Sequence, residues 1–133
     1  MKTRSVLKRS IASPMPPPSG EQASIFLANI PTPTPVWGYD GARLGYGRGL
    51  ALDQASGQTL CLLVGRGLTV RRFRPIPWAA LRYDPRSLGY VADVCAELFM
   101  QGPVWINAAL EAPACVRRAH LYYDVYHERQ EQT

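Results

Sequence analysis

The side chains with which this chain could do acid–base, nucleophilic or metal chemistry are few: His120 and His127, Cys61, Cys95 and Cys115, and the carboxylates Asp40, Asp53 and Asp84. The histidines stand seven positions apart, a spacing that puts them on one side of a helix. Two imidazoles with no cysteine or carboxylate at ligand spacing make a poor metal site. Neither histidine belongs to an elbow motif that would hold a base beside a serine or cysteine. Asp40, Asp53 and Asp84 all sit in turn signals, where a carboxylate bonds the downstream backbone and does not serve as half of an acid–base pair. The sequence therefore predicts no catalytic residue, no bound cofactor and no metal centre, and enzyme is the weakest reading.

Residues suited to binding are more numerous. Arg66, Arg71, Arg72 and Arg74 gather within nine positions and could meet phosphates. Tyr122, Tyr123 and Tyr126 form an aromatic stripe that suits packing on the parent domain or a dimer surface. Gly45, Gly47 and Gly49 invite comparison with a phosphate-cradling loop. The Lys-Ser/Thr that such a loop needs is missing, and the glycines lie inside a strand pattern.

The elements that position these residues follow from composition. In 133 residues there are 12 prolines and 11 glycines at 47% hydrophobic content, which favours one ordered, mostly β domain of short strands and turns. No run of about 18 apolar residues offers a spanning helix. The basic start is followed by polar and proline-rich residues in place of a secretory apolar stretch, so it reads as retained. Three cysteines without paired spacing argue against a disulfide framework and for a reducing, cytoplasmic compartment. Cys61 and Cys95 read as small core residues, whereas Cys115 has no evident place.

The net charge of +5 is uneven. Residues 60–90 hold six arginines against Asp84, and residues 91–133 hold Arg117, Arg118 and Arg129 against six carboxylates. A basic body with an acidic end suits an anionic partner or head-to-tail docking of a second copy, and equally plain solubility.

Along the chain, residues 1–23 are basic and proline-rich and predict a disordered arm. Ser24 to Ile30 reads as a strand, and Pro31, Pro33 and Pro35 as an extended connector confined to a sheet edge. Asp40-Gly41 signals a hairpin. Leu44 to Leu52 is a strand whose alternate glycines strip one face for coiling or close backbone approach. After the turn at Asp53 to Gly57, Gln58 to Val64 is apolar on both faces, so something beyond one sheet must cover it. Gly65 to Gly67 makes a hairpin, and Leu68 to Phe73 returns, with Arg72 and Arg74 projecting together. Pro75 and Pro77 forbid a helix and send the chain along a sheet edge into a buried Trp78. Asp84-Pro85 opens a turn that Gly89 ends, and Tyr90 to Cys95 alternates as a strand. Ala112-Pro113-Ala114 reads as a break. A helix follows over about residues 116–128, with Val116, Ala119, His120 and Tyr123 as its apolar stripe and Arg117 and Arg118 in its first turn, opposing the dipole.

The order Pro77-Trp78, Leu81, Tyr83-Asp84-Pro85, then Gly89-Tyr90-Val91, resembles the PRC-barrel family. Upstream, Gly38-Tyr39-Asp40-Gly41 and Leu44-Gly45 look like that family's first hairpin, and Asp53 to Gly57 like its next turn. Downstream, Glu97, Leu98, Gly102 and Pro103 resemble the closing helical turn, and Tyr122-Tyr123 occupies the place of a tyrosine pair. The resemblance implies a small closed β-barrel over residues 24–103, with residues 104–133 as an extension carrying the C-terminal helix. Gly41, Gly45, Gly47, Gly49, Pro77, Trp78, Leu81, Tyr83, Asp84, Gly89 and Tyr90 would be its structural residues. The barrel occurs in the photosynthetic reaction-centre H subunit and in the ribosome maturation factor family, and the likeness is to the barrel alone.

Two function classes follow as expectations. One is a non-catalytic assembly module that self-associates through an edge strand or the C-terminal helix, or docks on a larger complex. The other is an RNA- or ribonucleoprotein-binding protein that uses the arginine-rich face and the basic arm. Salt-dependent retention on nucleic acid separates them.

Overall fold

The computed structural model describes residues 24–66, 72–105 and 108–132, and within the last segment the side chains of residues 112–124. Six strands form one sheet in the order β4-β3-β2-β1-β6-β5. They are β1 (Ile25–Gly38), β2 (Arg43–Asp53), β3 (Thr59–Gly65), β4 (Arg74–Pro77), β5 (Leu81–Asp84) and β6 (Gly89–Ala92). All ladders are antiparallel except β1 with β6, which run parallel over Val36–Gly38 and Tyr90–Ala92. Two helices follow, α1 (Ala96–Met100) and α2 (Ala108–Gln132).

The outermost strands β4 and β5 are consecutive in the chain, joined only by a 3₁₀ turn at Trp78–Ala80. Four residue steps reach at most about 14 Å. A flat six-stranded sheet would put its edges roughly 24 Å apart at about 4.8 Å per strand. The sheet must therefore roll until its margins approach. It does so as a half-barrel, and the closed barrel expected from sequence is not formed by pairing: among the described residues no ladder joins β4 to β5.

Glycine makes the roll possible where strands crowd. Gly45 has φ +154°, and a Cβ there would lie 2.6 Å from the carbonyl oxygen of Gly65 on β3. The ladders of β2 carry irregularities on both sides of this stretch, between Val36 and Trp37 and between Gly47 and Gly49. Bulges of this kind bend and twist a strand.

The proline connector expected after Ile30 is instead part of one continuous 14-residue strand. Pro31 and Pro33 fall in a register irregularity between Asn29 and Thr34, where missing amides cost no ladder bond. Pro75 and Pro77 do run along an edge, as β4.

Two apolar clusters lie on opposite faces of β3. Leu62 and Val64 join Val36, Leu44, Ile76, Val94, Phe99 and Tyr123 inside the curl. Cys61 and Leu63 join Trp105, Ala112, Cys115, Val116 and Ala119 beneath α2. This second layer covers the far face of β3, as its unbroken apolar run requires, and it gives Cys115 its place. Cys95, expected in the core, is half-buried.

Pro113 does not break the last helix; it lies inside α2, whose start is Ala108. The lost bond is the one to the carbonyl of Ala109, just past the first turn, where helix amides begin to need partners. Burial of Ala112, Cys115 and Val116 around it offsets that loss. Arg117 and Arg118 consequently stand in mid-helix, and the predicted clash with the N-terminal dipole does not arise.

Candidate interaction surface

The corner between β4 and β5 organises the surface. Trp78 opens the 3₁₀ turn and is half-buried, less enclosed than its sequence position suggests. Its indole meets Tyr90 edge-on at 5.5 Å, and Tyr90 meets Tyr83 in the same manner at 5.5 Å. Tyr83 and Tyr90 are direct cross-strand partners. The result is an aromatic row running from the core margin to the edge strand, where Tyr83 is 51% exposed. Burial raises the Tyr90 phenol above its ordinary value, and neighbouring Tyr83 adds to the shift.

The turn at the end of β5 is built as its sequence implies. The Asp84 carboxylate accepts from the amide of Arg86 at 3.1 Å and from the hydroxyl of Ser87 at 3.3 Å. Leu88 carries φ +54° and is 68% exposed, and Gly89 begins β6. Beside this corner, Tyr39, Ala79, Ala80, Leu81, Arg82, Val91, Ala92 and Asp93 line an open concavity of about 330 Å³.

The described arginines stand in different environments. Arg66 is exposed and donates to the sulfur of Met100 at 3.3 Å, and Arg72 is exposed. Arg74 turns inward: its guanidinium donates to the carbonyl of Gly102 at 2.8 Å and lies 5.9 Å from the Phe99 ring centroid. Arg71 lies outside the described residues, as do most of its expected strand and the arm of residues 1–23. The tyrosine stripe divides likewise. Tyr123 is buried in the first cluster, and Tyr122 is half-buried with its hydroxyl donating to the carbonyl of Leu98 at 2.6 Å. The side chain of Tyr126 lies outside the described residues. Burial pushes both described phenols up in pKa; Arg74 opposes the shift in each.

Three contacts had no clear signal in the sequence. Arg43 sits over Trp37 at 5.4 Å and over Tyr46 at 5.2 Å and donates to the Tyr46 hydroxyl at 2.6 Å. The Trp37–Arg43 pairing follows only from the register of β1 on β2. Asp40 serves its own turn through Ala42, and its other carboxylate oxygen accepts from the amide of Ala96 at 3.3 Å, where α1 begins. His120 places Nε2 at 3.1 Å from the carbonyl of Leu60, a bond that ties α2 to the start of β3. It joins the fold in that way, and the side chain of His127 is not described.

Among the described residues no three His, Cys, Asp or Glu side chains come together as a metal cluster requires. No helix among them is long and apolar enough to cross a membrane. The described geometry thus offers an aromatic-lined edge and a shallow concavity. No protein-family model matches the chain, and no curated protein matches it.

Proposed function

We propose that this chain is a non-catalytic, PRC-barrel-like interaction module that associates with copies of itself. The observation that carries the reading is the contrast between the two margins of its sheet. β4 is blunted by Pro75 and Pro77, and α2 packs against it. β5 has no proline among Leu81–Asp84 and ends the sheet beside an exposed tyrosine. Apart from the Leu81 amide, which donates to the Trp78 carbonyl, the outer edge of β5 is a template for another strand. The resemblance of the Trp78–Tyr90 stretch to the PRC-barrel pattern supports the same class, as does the six-stranded curl built around it.

The nucleic-acid reading has less support, because Arg74 spends its guanidinium on Gly102 and Phe99. A concentration series by sedimentation equilibrium, with RNA retention measured at low and high salt, tests the proposal. Reversible self-association without salt-dependent RNA retention is expected. A monomer at all concentrations that holds RNA at low salt overturns it.

A further inference from the structure

We infer that two copies join edge to edge through β5, about a two-fold axis at Tyr83. This rests on the self-association proposed above and names its surface. Three features coincide on this strand. Its four residues, Leu81–Asp84, form the sheet margin that holds no proline, with Pro85 following at its end. Tyr83 ends the aromatic row there, half exposed. Its sequence, Leu81-Arg82-Tyr83-Asp84, carries one cation and one anion two positions apart, hence on the same face.

The register can be derived. Leu81 and Tyr83 share the face that packs toward the first cluster: Leu81 contacts it directly, and Tyr83 meets Tyr90, which also packs against it. Arg82 and Asp84 share the opposite face. A two-fold axis perpendicular to the sheet keeps like faces together, so directly opposed residues must have the same parity. Four registers satisfy this within β5, centred on Leu81, Arg82, Tyr83 or Asp84, and the first leaves Arg82 opposite Ala80 with no charges paired. Centring on Arg82 or on Asp84 opposes like charges, which is destabilising. Centring on Tyr83 opposes Arg82 of each copy to Asp84 of the other, twice, and sets the two Tyr83 rings side by side. The aromatic row then runs without interruption from Trp78 of one copy to Trp78 of the other.

Both charged groups have capacity for this contact. Arg82 is exposed, and each Asp84 oxygen has one turn donor and a second lone pair to offer. An arginine at the solvent edge of a sheet normally repels other strands. Here the neighbouring aspartate makes the Tyr83-centred register the one that pairs opposite charges.

Sedimentation equilibrium on the full chain tests the inference with three variants, each checked for native circular dichroism. Arg82→Asp opposes carboxylates at both positions and should weaken dimerisation by roughly tenfold or more. Arg82→Lys should leave the dimer within about threefold of wild type. The swap Arg82→Asp with Asp84→Arg restores opposed charges and should recover association, although it removes the two turn bonds of Asp84. If the swap does not fold, the first two variants still decide. A wild-type dimer that Arg82→Asp leaves intact overturns the β5 seam and leaves self-association standing. A wild-type monomer overturns both.

Discussion

Gly89 lies so close to Pro35 that a Cβ on Gly89 would fall on the Pro35 carbonyl oxygen. The approach lets β6 settle parallel to β1, with Val36 opposite Tyr90 and Trp37 opposite Val91. It is backbone against backbone, so no side-chain rotamer can relieve it. Gly89→Ala should destabilise the chain by about 1–3 kcal/mol, the usual cost of overpacking. Urea denaturation measures this as a lower midpoint at unchanged slope. A midpoint equal to wild type would mean that β6 does not pack against Pro35.

That contact also shows what the sequence made legible. Gly89 was readable as the end of a turn, because Asp84-Pro85 announces one, but its partner Pro35 lies 54 positions away and nothing local names it. The same holds elsewhere. Strand β2 follows from alternation, β3 from its unbroken apolar run, and both from the turn at Asp53 to Gly57, and their observed limits differ little from the expected ones. The helix boundary did not follow, because Pro113 is a local breaker signal and the burial of Ala112 and Cys115 that overrides it is a tertiary effect. On the surface, charge alone grouped Arg74 with Arg66 and Arg72. Which arginine turns inward depends on the position of Gly102 and Phe99, known only once α1 is docked.

Arg74 and Arg72 should therefore separate sharply on substitution. Arg74→Met removes a charged donor from the Gly102 carbonyl and should cost about 1.5–3 kcal/mol. Arg72→Ala, at an exposed position, should stay within about 0.5 kcal/mol of wild type. Thermal melts of the two variants read the difference. Equal melting temperatures would remove the structural role assigned to Arg74.

Tyr123 sets an alkaline limit. Its folded pKa is raised above the ordinary value of 10.0 by burial, with neighbouring Tyr122 adding to the shift. The neutral phenol is the form the fold accepts, so its contribution is complete below pH 10 and is lost as pH climbs from there through the folded pKa. Wild-type stability should fall steeply above pH 10, and Tyr123→Phe should show a shallower fall relative to its own value at pH 8. Parallel slopes in denaturant titrations at pH 8 to 11 would contradict this.

Cysteine reactivity should follow burial. Cys61 and Cys115 are buried and Cys95 is half-buried, and burial pushes the Cys61 thiol well up in pKa. In native buffer, iodoacetamide should label Cys95 first, and the other two should react at the rate of unfolding. Peptide mass mapping over time resolves the order. Early labelling of Cys61 would contradict its enclosure between β3 and α2.

The central claim is that this chain works by association and carries no chemistry of its own. Native mass spectrometry of the purified full chain addresses it directly. The account predicts a species at twice the 14.8 kDa chain mass with no additional bound mass, in equilibrium with monomer on dilution. A monomer at every concentration, or a chain carrying a stoichiometric metal or small molecule, would contradict it.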